Sequence, residues 1–259
     1  MAYSASDFLL GWVWQENGQF DEITTHITKR ENFDFSTKPL ADIKSEIYGG
    51  NYVTLIDNDY PEFIRTGASK PPYCLFWKGD LGILSRNNAV TIVAYKTSVS
   101  DHINTYSKYA LIQVIKKYAP NNDIIFSISD EYHDIAMQTF EKYKGPNSHS
   151  IEFIDMSLSD YELKYASSRQ ANLVVAYRFR TDRTIPNQMG IRTATITATK
   201  KLVVAECSSV STPVLVLLTA SEGNVETEVV PYPFFDGLHG NNKLIKQSFG
   251  EIMFLEEEN

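Results

Sequence analysis

The sequence predicts an α/β protein: a Rossmann-like, mostly parallel sheet with helices on both faces, preceded by a small helical N-terminal segment. Three observations carry that expectation. Compact apolar runs recur at 90–94, 124–128, 151–154, 173–177 and 202–205, and runs without polar alternation suit strands covered on both faces. Between them lie stretches of helical period, such as Ile103, Tyr106, Ala110 and Val114, and strands alternating with helices imply a parallel sheet. The chain has 259 residues, 43% of them hydrophobic and only two of them cysteines, enough for a full core without disulfide or metal support.

Residues 2–14 read as a short helix with an apolar stripe of Phe8, Leu9, Trp12 and Val13. Ser36 or Thr37 followed by Pro39 signals a second start, Leu40, Ile43 and Ile47 keep the period, and Gly49-Gly50 ends it. Residues 1–50 are therefore expected as the helical preface and 51–259 as the Rossmann-like domain. A short strand is expected at 52–56, after which Asp59-Tyr60-Pro61, Pro71-Pro72 and Gly79 punctuate a turn-rich segment. From residue 90 strand and helix alternate, with a helix over 131–144. Segment 214–220 has a strand-like apolar run, but Ser211-Thr212-Pro213 looks like a helix start. The need for a crossover before Glu228-Val229-Val230 favours helix.

Cys74 and Cys207 fit neither a zinc pattern nor a disulfide framework, so a reducing cytoplasm is expected. The first residues lack a basic leader, and no uninterrupted apolar stretch reaches membrane length. No membrane partner is expected. The net charge of -8 weighs against a nucleic-acid binder, because phosphate binding usually leaves a basic footprint. Locally the balance differs: between 164 and 201 stand Lys164, Arg169, Arg178, Arg180, Arg183, Arg192, Lys200 and Lys201, opposed in sequence only by Asp182.

A sheet of this kind places its ligand at the carboxyl ends of its strands, which puts the candidate loops at 95–101, 127–134, 155–160, 177–192 and 206–213. Most of the basic cluster falls in or beside the fourth. Glycine-rich phosphate loops are absent: the first sheet strand runs into Ala94-Tyr95-Lys96-Thr97-Ser98, with nothing to let backbone amides close on a pyrophosphate. The zinc-protease and serine-hydrolase motifs are missing as well. The five histidines are dispersed, and His133 beside Asp134 reads as an exposed helix-start pair. No catalytic residue, metal site or cofactor is expected.

Asp59-Tyr60-Pro61 followed by Pro71-Pro72-Tyr73-Cys74-Leu75-Phe76-Trp77-Lys78-Gly79 resembles the DNA-processing protein A family (DprA, or Smf), which carries Tyr-Pro and then Pro-Pro-x-x-Leu-aromatic-x-x-Gly ahead of its Rossmann-like domain. Two further landmarks follow in order: Arg192 through Glu206 is similar to the family's basic loop and glutamate-ended strand. Val230-Pro231 with Gly240-Asn241-Asn242-Lys243-Leu244-Ile245 is similar to its late Val-Pro and Gly-x-Asn-x-Leu-Ile. The site departs from the pattern. Gly-Ser-Arg becomes Ala94-Tyr95-Lys96, Ser-Gly-Leu-Ala becomes Ser127-Ile128-Ser129-Asp130, Arg-Asn-Arg reduces to Arg192-Thr193-Ala194, and Ser-Gly-Ser becomes Ser211-Thr212-Pro213. Asp130 and Glu131 would repel phosphate.

The resemblance implies a DprA-like, non-catalytic binder of single-stranded DNA in DNA processing, uptake or recombination, with a RecA-type recombinase as partner and a homodimeric state. Its expected contacts are Lys96, Arg178, Arg180, Arg183, Arg192, Asn242 and Lys243, with Tyr95, Tyr177 and Phe179 as stacking surfaces. Two competing readings are a degenerate interaction or nucleotide-sensing protein that has lost DNA binding, and a phosphoribohydrolase-like enzyme. The latter lacks its Pro-Gly-Gly-x-Gly-Thr run here, the only Gly-Gly being Gly49-Gly50.

Overall fold

The structure is a computed structural model that describes residues 3–67, 70–86, 88–95, 101–180, 199, 201–207, 225–232 and 240–255. Its core is one mixed, mostly parallel sheet of nine strands. In chain order these are β1 (Tyr52–Thr54), β2 (Cys74–Gly79), β3 (Ala89–Ala94), β4 (Asp123–Ile128), β5 (Ser150–Ile154), β6 (Leu173–Ala176), β7 (Lys201–Glu206), β8 (Glu226–Val229) and β9 (Glu251–Ile252). Across the sheet the order is β1-β2-β6-β5-β4-β3-β7-β8-β9. From β6 to β9 every pairing is parallel. The chain builds outward from β3 through β4 and β5 to β6, then returns to add β7 and β8 on the other side, so the order reverses at β3.

The described helices are α1 (Ala5–Glu16), α2 (Phe20–Thr28), α3 (Leu40–Ser45), α4 (Glu62–Gly67), α5 (Asp101–Tyr118), α6 (Asp130–Tyr143), α7 (Leu158–Lys164) and α8 (Gly240–Lys246). Local chemistry places their ends. Ser4 and Asp7 form a reciprocal capping box on α1, which closes at Asn17 in the left-handed conformation. Ser129 occupies the N-cap position of α6 in extended backbone without a side-chain capping bond, and Asp130 and Glu131 in its first turn favour the positive end of the helix dipole. Tyr132, His133, Ala136, Met137 and Phe140 turn inward at helical spacing.

Both faces of the sheet are covered. On one, α5 and α6 pack over Ile92, Ile124, Phe126 and Val203, while α1, α3 and α7 pack over Phe76, Ile154, Val174 and Ala176. On the other, Tyr60 and Ile64 cover Leu75, Ile125, Ile151 and Val175, and Leu244 of α8 covers Val93, Leu202, Val204 and Val229. The preface thus shares its core with the sheet: Leu10, Val13 and Ile43 belong to the cluster that contains Phe76 and Val174. Cys74 and Cys207 are free and buried, and burial pushes the Cys207 thiol up to about 12. Among the described residues no helix is long and apolar enough to cross a membrane.

The sequence reading of 59–79 as turns missed β2, which pairs antiparallel with both β1 and β6. Its side chains alternate as a strand's should, Cys74 and Phe76 on one face and Leu75 on the other. The Tyr-Pro and Pro-Pro elements gain a physical meaning here: buried Tyr60 donates its hydroxyl to the Pro72 carbonyl at 2.7 Å, tying the two halves of the motif together at the start of β2. Gly79 ends the strand at φ +104, where a Cβ would sit 2.1 Å from the Asn172 carbonyl oxygen, so no larger residue fits. Helices α2 and α7 were not anticipated either. The ambiguous segment 214–220 lies outside the described residues.

Asn241, fully buried at the start of α8, clamps β7 to β8. Its Nδ2 donates to the carbonyls of Val204 (3.2 Å), Ala205 (3.1 Å) and Val230 (2.8 Å), and its Oδ1 accepts from the Cys207 amide at 2.8 Å. Asn241→Ala is therefore expected to cost about 2 kcal/mol or more, because it orphans a buried amide as well as removing bonds. Urea unfolding measures this; an unchanged midpoint and slope would show that the clamp is redundant.

Candidate functional site

The carboxyl ends of β4 and β5, with Tyr95 after β3 and Tyr177 after β6, enclose a cleft of about 160 Å³. Helices α6 and α7 close it from one side, contributing Asp130, His133 and Tyr161, with Tyr165 just beyond α7. This is the edge at which parallel α/β sheets bind ligands. Its position follows from the topology, since each of these strands leaves the sheet there and a helix follows both β4 and β5.

Glu152 is the unusual residue. It sits on β5 opposite Phe126 and Val174, at the seam between the two apolar clusters on that face, and is only 6% exposed. A carboxylate there needs partners. Tyr161 donates its hydroxyl to Glu152 Oε2, and His133 Nε2 lies 3.3 Å from the same oxygen and 3.3 Å from the Tyr161 hydroxyl. The His133 ring stacks on Tyr165 with centroids 3.7 Å apart and planes 22° from parallel. Tyr165 in turn donates to Asp130 Oδ1 at 3.0 Å, and Lys164 donates to the other oxygen of Asp130.

A second carboxylate repeats the construction. Tyr177 donates to Asp155 Oδ1, and the Arg178 guanidinium lies 2.7 Å from that oxygen. Burial, reinforced by the neighbouring carboxylate, holds the phenols of Tyr161 and Tyr177 well above their ordinary range, so both remain protonated donors. Tyr95 and Ser127 share a 2.8 Å hydroxyl contact at the end near β3. Among the described residues no three of His, Cys, Asp and Glu converge as metal ligands.

His133 corrects the sequence reading. Far from being an exposed helix-start residue, it is 2% exposed, with only Asp134 turned to solvent. The signal that could have located it was the polar Glu152 in an otherwise apolar strand run, a position that demands a buried partner.

The expected DNA contacts separate into three groups. Lys96, Arg183 and Arg192 lie outside the described residues. Arg178 is 4% exposed and turned onto Asp155. Arg180 is fixed to the preface, its backbone exchanging hydrogen bonds with the Asn17 side chain at 2.7 and 2.8 Å, its guanidinium donating to the Trp14 carbonyl at 3.1 Å and resting over the Trp14 ring. Asn242 exchanges bonds with the backbone of Tyr232 at 3.1 and 3.3 Å. Lys243 on α8 is half-buried. Of the expected stacking surfaces, Tyr95 and Tyr177 reach the cleft, whereas Phe179 packs edge-on against Phe76 in the core. Of the described residues in this set, Arg178, Arg180, Asn242 and Phe179 are engaged within the fold, and Tyr95 and Tyr177 reach the cleft.

Among the described residues the basic cluster is also less basic in space than in sequence. Lys164 pairs with Asp130, Arg169 with Glu141, Arg178 with Asp155, and Lys201 with Glu226 and Glu228. The same pairing draws Asp130 below its usual carboxylate range: burial opposes the shift, but Lys164 and Tyr165 outweigh it.

No protein-family model and no curated protein matches the sequence. Solved structures do. The chain superimposes on the DNA processing protein A (DprA) of Streptococcus pneumoniae with a TM-score of 0.63 at 16% identity, over 96% of this chain and 87% of that one. It superimposes on the DprA of Helicobacter pylori, a protein with a distinctive single-stranded DNA binding mode, with a TM-score of 0.56 at 16% identity, over 79% of this chain and 91% of that one. The chain has a DprA-like, Rossmann-like fold, as the Tyr-Pro and Pro-Pro landmarks suggested.

Burial lowers the affinity of His133 for its proton, but the bond to Glu152 and the nearby Asp134 outweigh it, and the group is raised above 6.5. A raised folded pKa means that the stabilisation is complete below about pH 6.5 and is lost as the pH climbs through the folded value. Melting temperatures should fall across that window in the native chain, and Glu152→Gln should flatten the slope. An equal slope in the variant would assign the dependence to another group.

Proposed function

We propose that this protein binds single-stranded DNA across the carboxyl edge of its sheet and performs no chemistry on it. The observation that carries this reading is an aromatic-walled cleft at the ligand edge of a DprA-like fold. The similarity to the Helicobacter pylori protein, which binds single-stranded DNA, supports it.

In this reading tyrosines at the cleft stack bases while lysines and arginines neutralise phosphates and release counterions. The stretches that carry Lys96 and Arg183 follow directly from Tyr95 and Arg180, and Arg192 belongs to the second of them. With Lys243 they are the proposed phosphate contacts. Arg178 and Arg180 act instead as positioning residues, the first orienting Asp155 and the second fastening the start of its loop to Trp14 and Asn17. Asn242 holds the Tyr232 turn. A role in DNA uptake or recombination, with a RecA-type recombinase as partner and a cytoplasmic homodimer as the working form, belongs to the same reading.

A second reading, a sensor of free nucleotide or an interaction protein that has given up DNA, is favoured by one observation. The cleft is lined by Asp130, Glu152 and Asp155, and the described cations nearest to it are already paired.

Fluorescence anisotropy with a labelled oligo-dT of about 20 nucleotides should show binding that weakens as salt rises, and Arg192→Ala should weaken it further and reduce the salt slope by about one. Unchanged affinity and slope in Arg192→Ala would remove that residue from the interface. No binding at low salt would leave the second reading.

A further inference from the structure

We infer that the cleft distinguishes bases by the group at pyrimidine C4, accepting the exocyclic amine of cytosine and disfavouring the carbonyl of uracil or thymine. The inference rests on the DNA-binding reading above and adds to it the identity of the base that is held.

It follows from counting donors and acceptors. Glu152 Oε2 receives Tyr161 and faces His133 Nε2, while Asp155 Oδ1 receives Tyr177 and the Arg178 guanidinium. In each carboxylate a tyrosine hydroxyl and a side-chain nitrogen engage the same oxygen. The opposite oxygens, Glu152 Oε1 and Asp155 Oδ2, receive no hydrogen bond among the described residues. The two phenols have spent their only protons on the carboxylates, so they too face the cleft as acceptors. Neither oxygen is among the buried atoms that lack a partner, so each is open to a donor that enters the cleft. A ligand that brings N–H groups meets them; one that brings a carbonyl sets acceptor against acceptor.

The walls narrow the ligand further. Tyr95, Phe126, Tyr165 and Tyr177 give the cleft flat aromatic sides suited to a planar ring. Phosphate is excluded by the carboxylates, so a bound strand would direct its backbone outward and a base inward. Cytosine offers an amine to a carboxylate, an established pairing in base recognition, and unstacked bases in single strands are read on this same edge.

The test compares oligo-dC with oligo-dU of equal length on the full chain at two salt concentrations. The two strands carry identical phosphates and differ only along the edge described. We expect oligo-dC to bind about tenfold more tightly, with a ratio that salt leaves unchanged. Asp155→Asn should bring the ratio towards one while preserving the salt slope. A second arm needs no variant: an oligomer of N4,N4-dimethylcytosine, which lacks both amine protons, should bind the native chain as weakly as oligo-dU. Equal affinity for dC and dU, a preference for dU, or full affinity for the dimethyl strand would overturn the inference and leave DNA binding intact. Failure of both strands to bind would overturn both.

Discussion

The architecture turns on β6. Its four residues are all fully buried, and it is the strand at which a parallel sheet meets an antiparallel one: β5 runs alongside it and β2 runs against it. A strand with both faces covered and both edges paired cannot slip by one residue without exchanging its two buried faces. That fixed register determines where Tyr177 and Arg178 emerge, and so where Asp155 is held. It also positions Val174 and Ala176 under the preface helices. The cleft and the N-terminal helices are thus arranged from the same four residues.

Glu152 shows a complementary constraint. Burying a carboxylate costs several kcal/mol unless partners restore what water supplied, and the partners come from two different helices, His133 on α6 and Tyr161 on α7. The group therefore fixes how those helices sit relative to each other over the strand ends. An apolar residue at that seam would pack the helices but specify their placement less closely.

Much of the fold was legible because its signals are local. The runs that became β3 to β7 stand out as apolar, and α5 and α6 announce themselves by their period. The strand β2 was obscured by the prolines before it and the glycine at its end, which read as turn chemistry although the residues between them alternate faces. Helix α7, seven residues long, is too short for its period to be distinctive. The site was less legible, for a different reason. Lys164, Arg169, Arg178 and Lys201 look unopposed in sequence because their acidic partners lie 23 to 34 positions away. Charge counted along a chain ignores those pairings, which only the sheet brings together. His133 was misjudged likewise: its neighbour Asp134 is visible in the sequence, whereas Glu152, which accounts for its burial, becomes a neighbour only through the alignment of β5 beneath α6.

The shared core of preface and sheet has a bearing on biosynthesis. Helices α1 and α3 leave the ribosome before the surface they cover, which is assembled from Phe76, Ile154, Val174 and Phe179. Leu10, Val13 and Ile43 must wait, unsheltered, while most of the intervening chain is translated. Closing such distant contacts is slow, and apolar helices left exposed meanwhile are prone to wrong associations. Helices made before β6 therefore find their place only after it, and the order of synthesis runs against the order of packing.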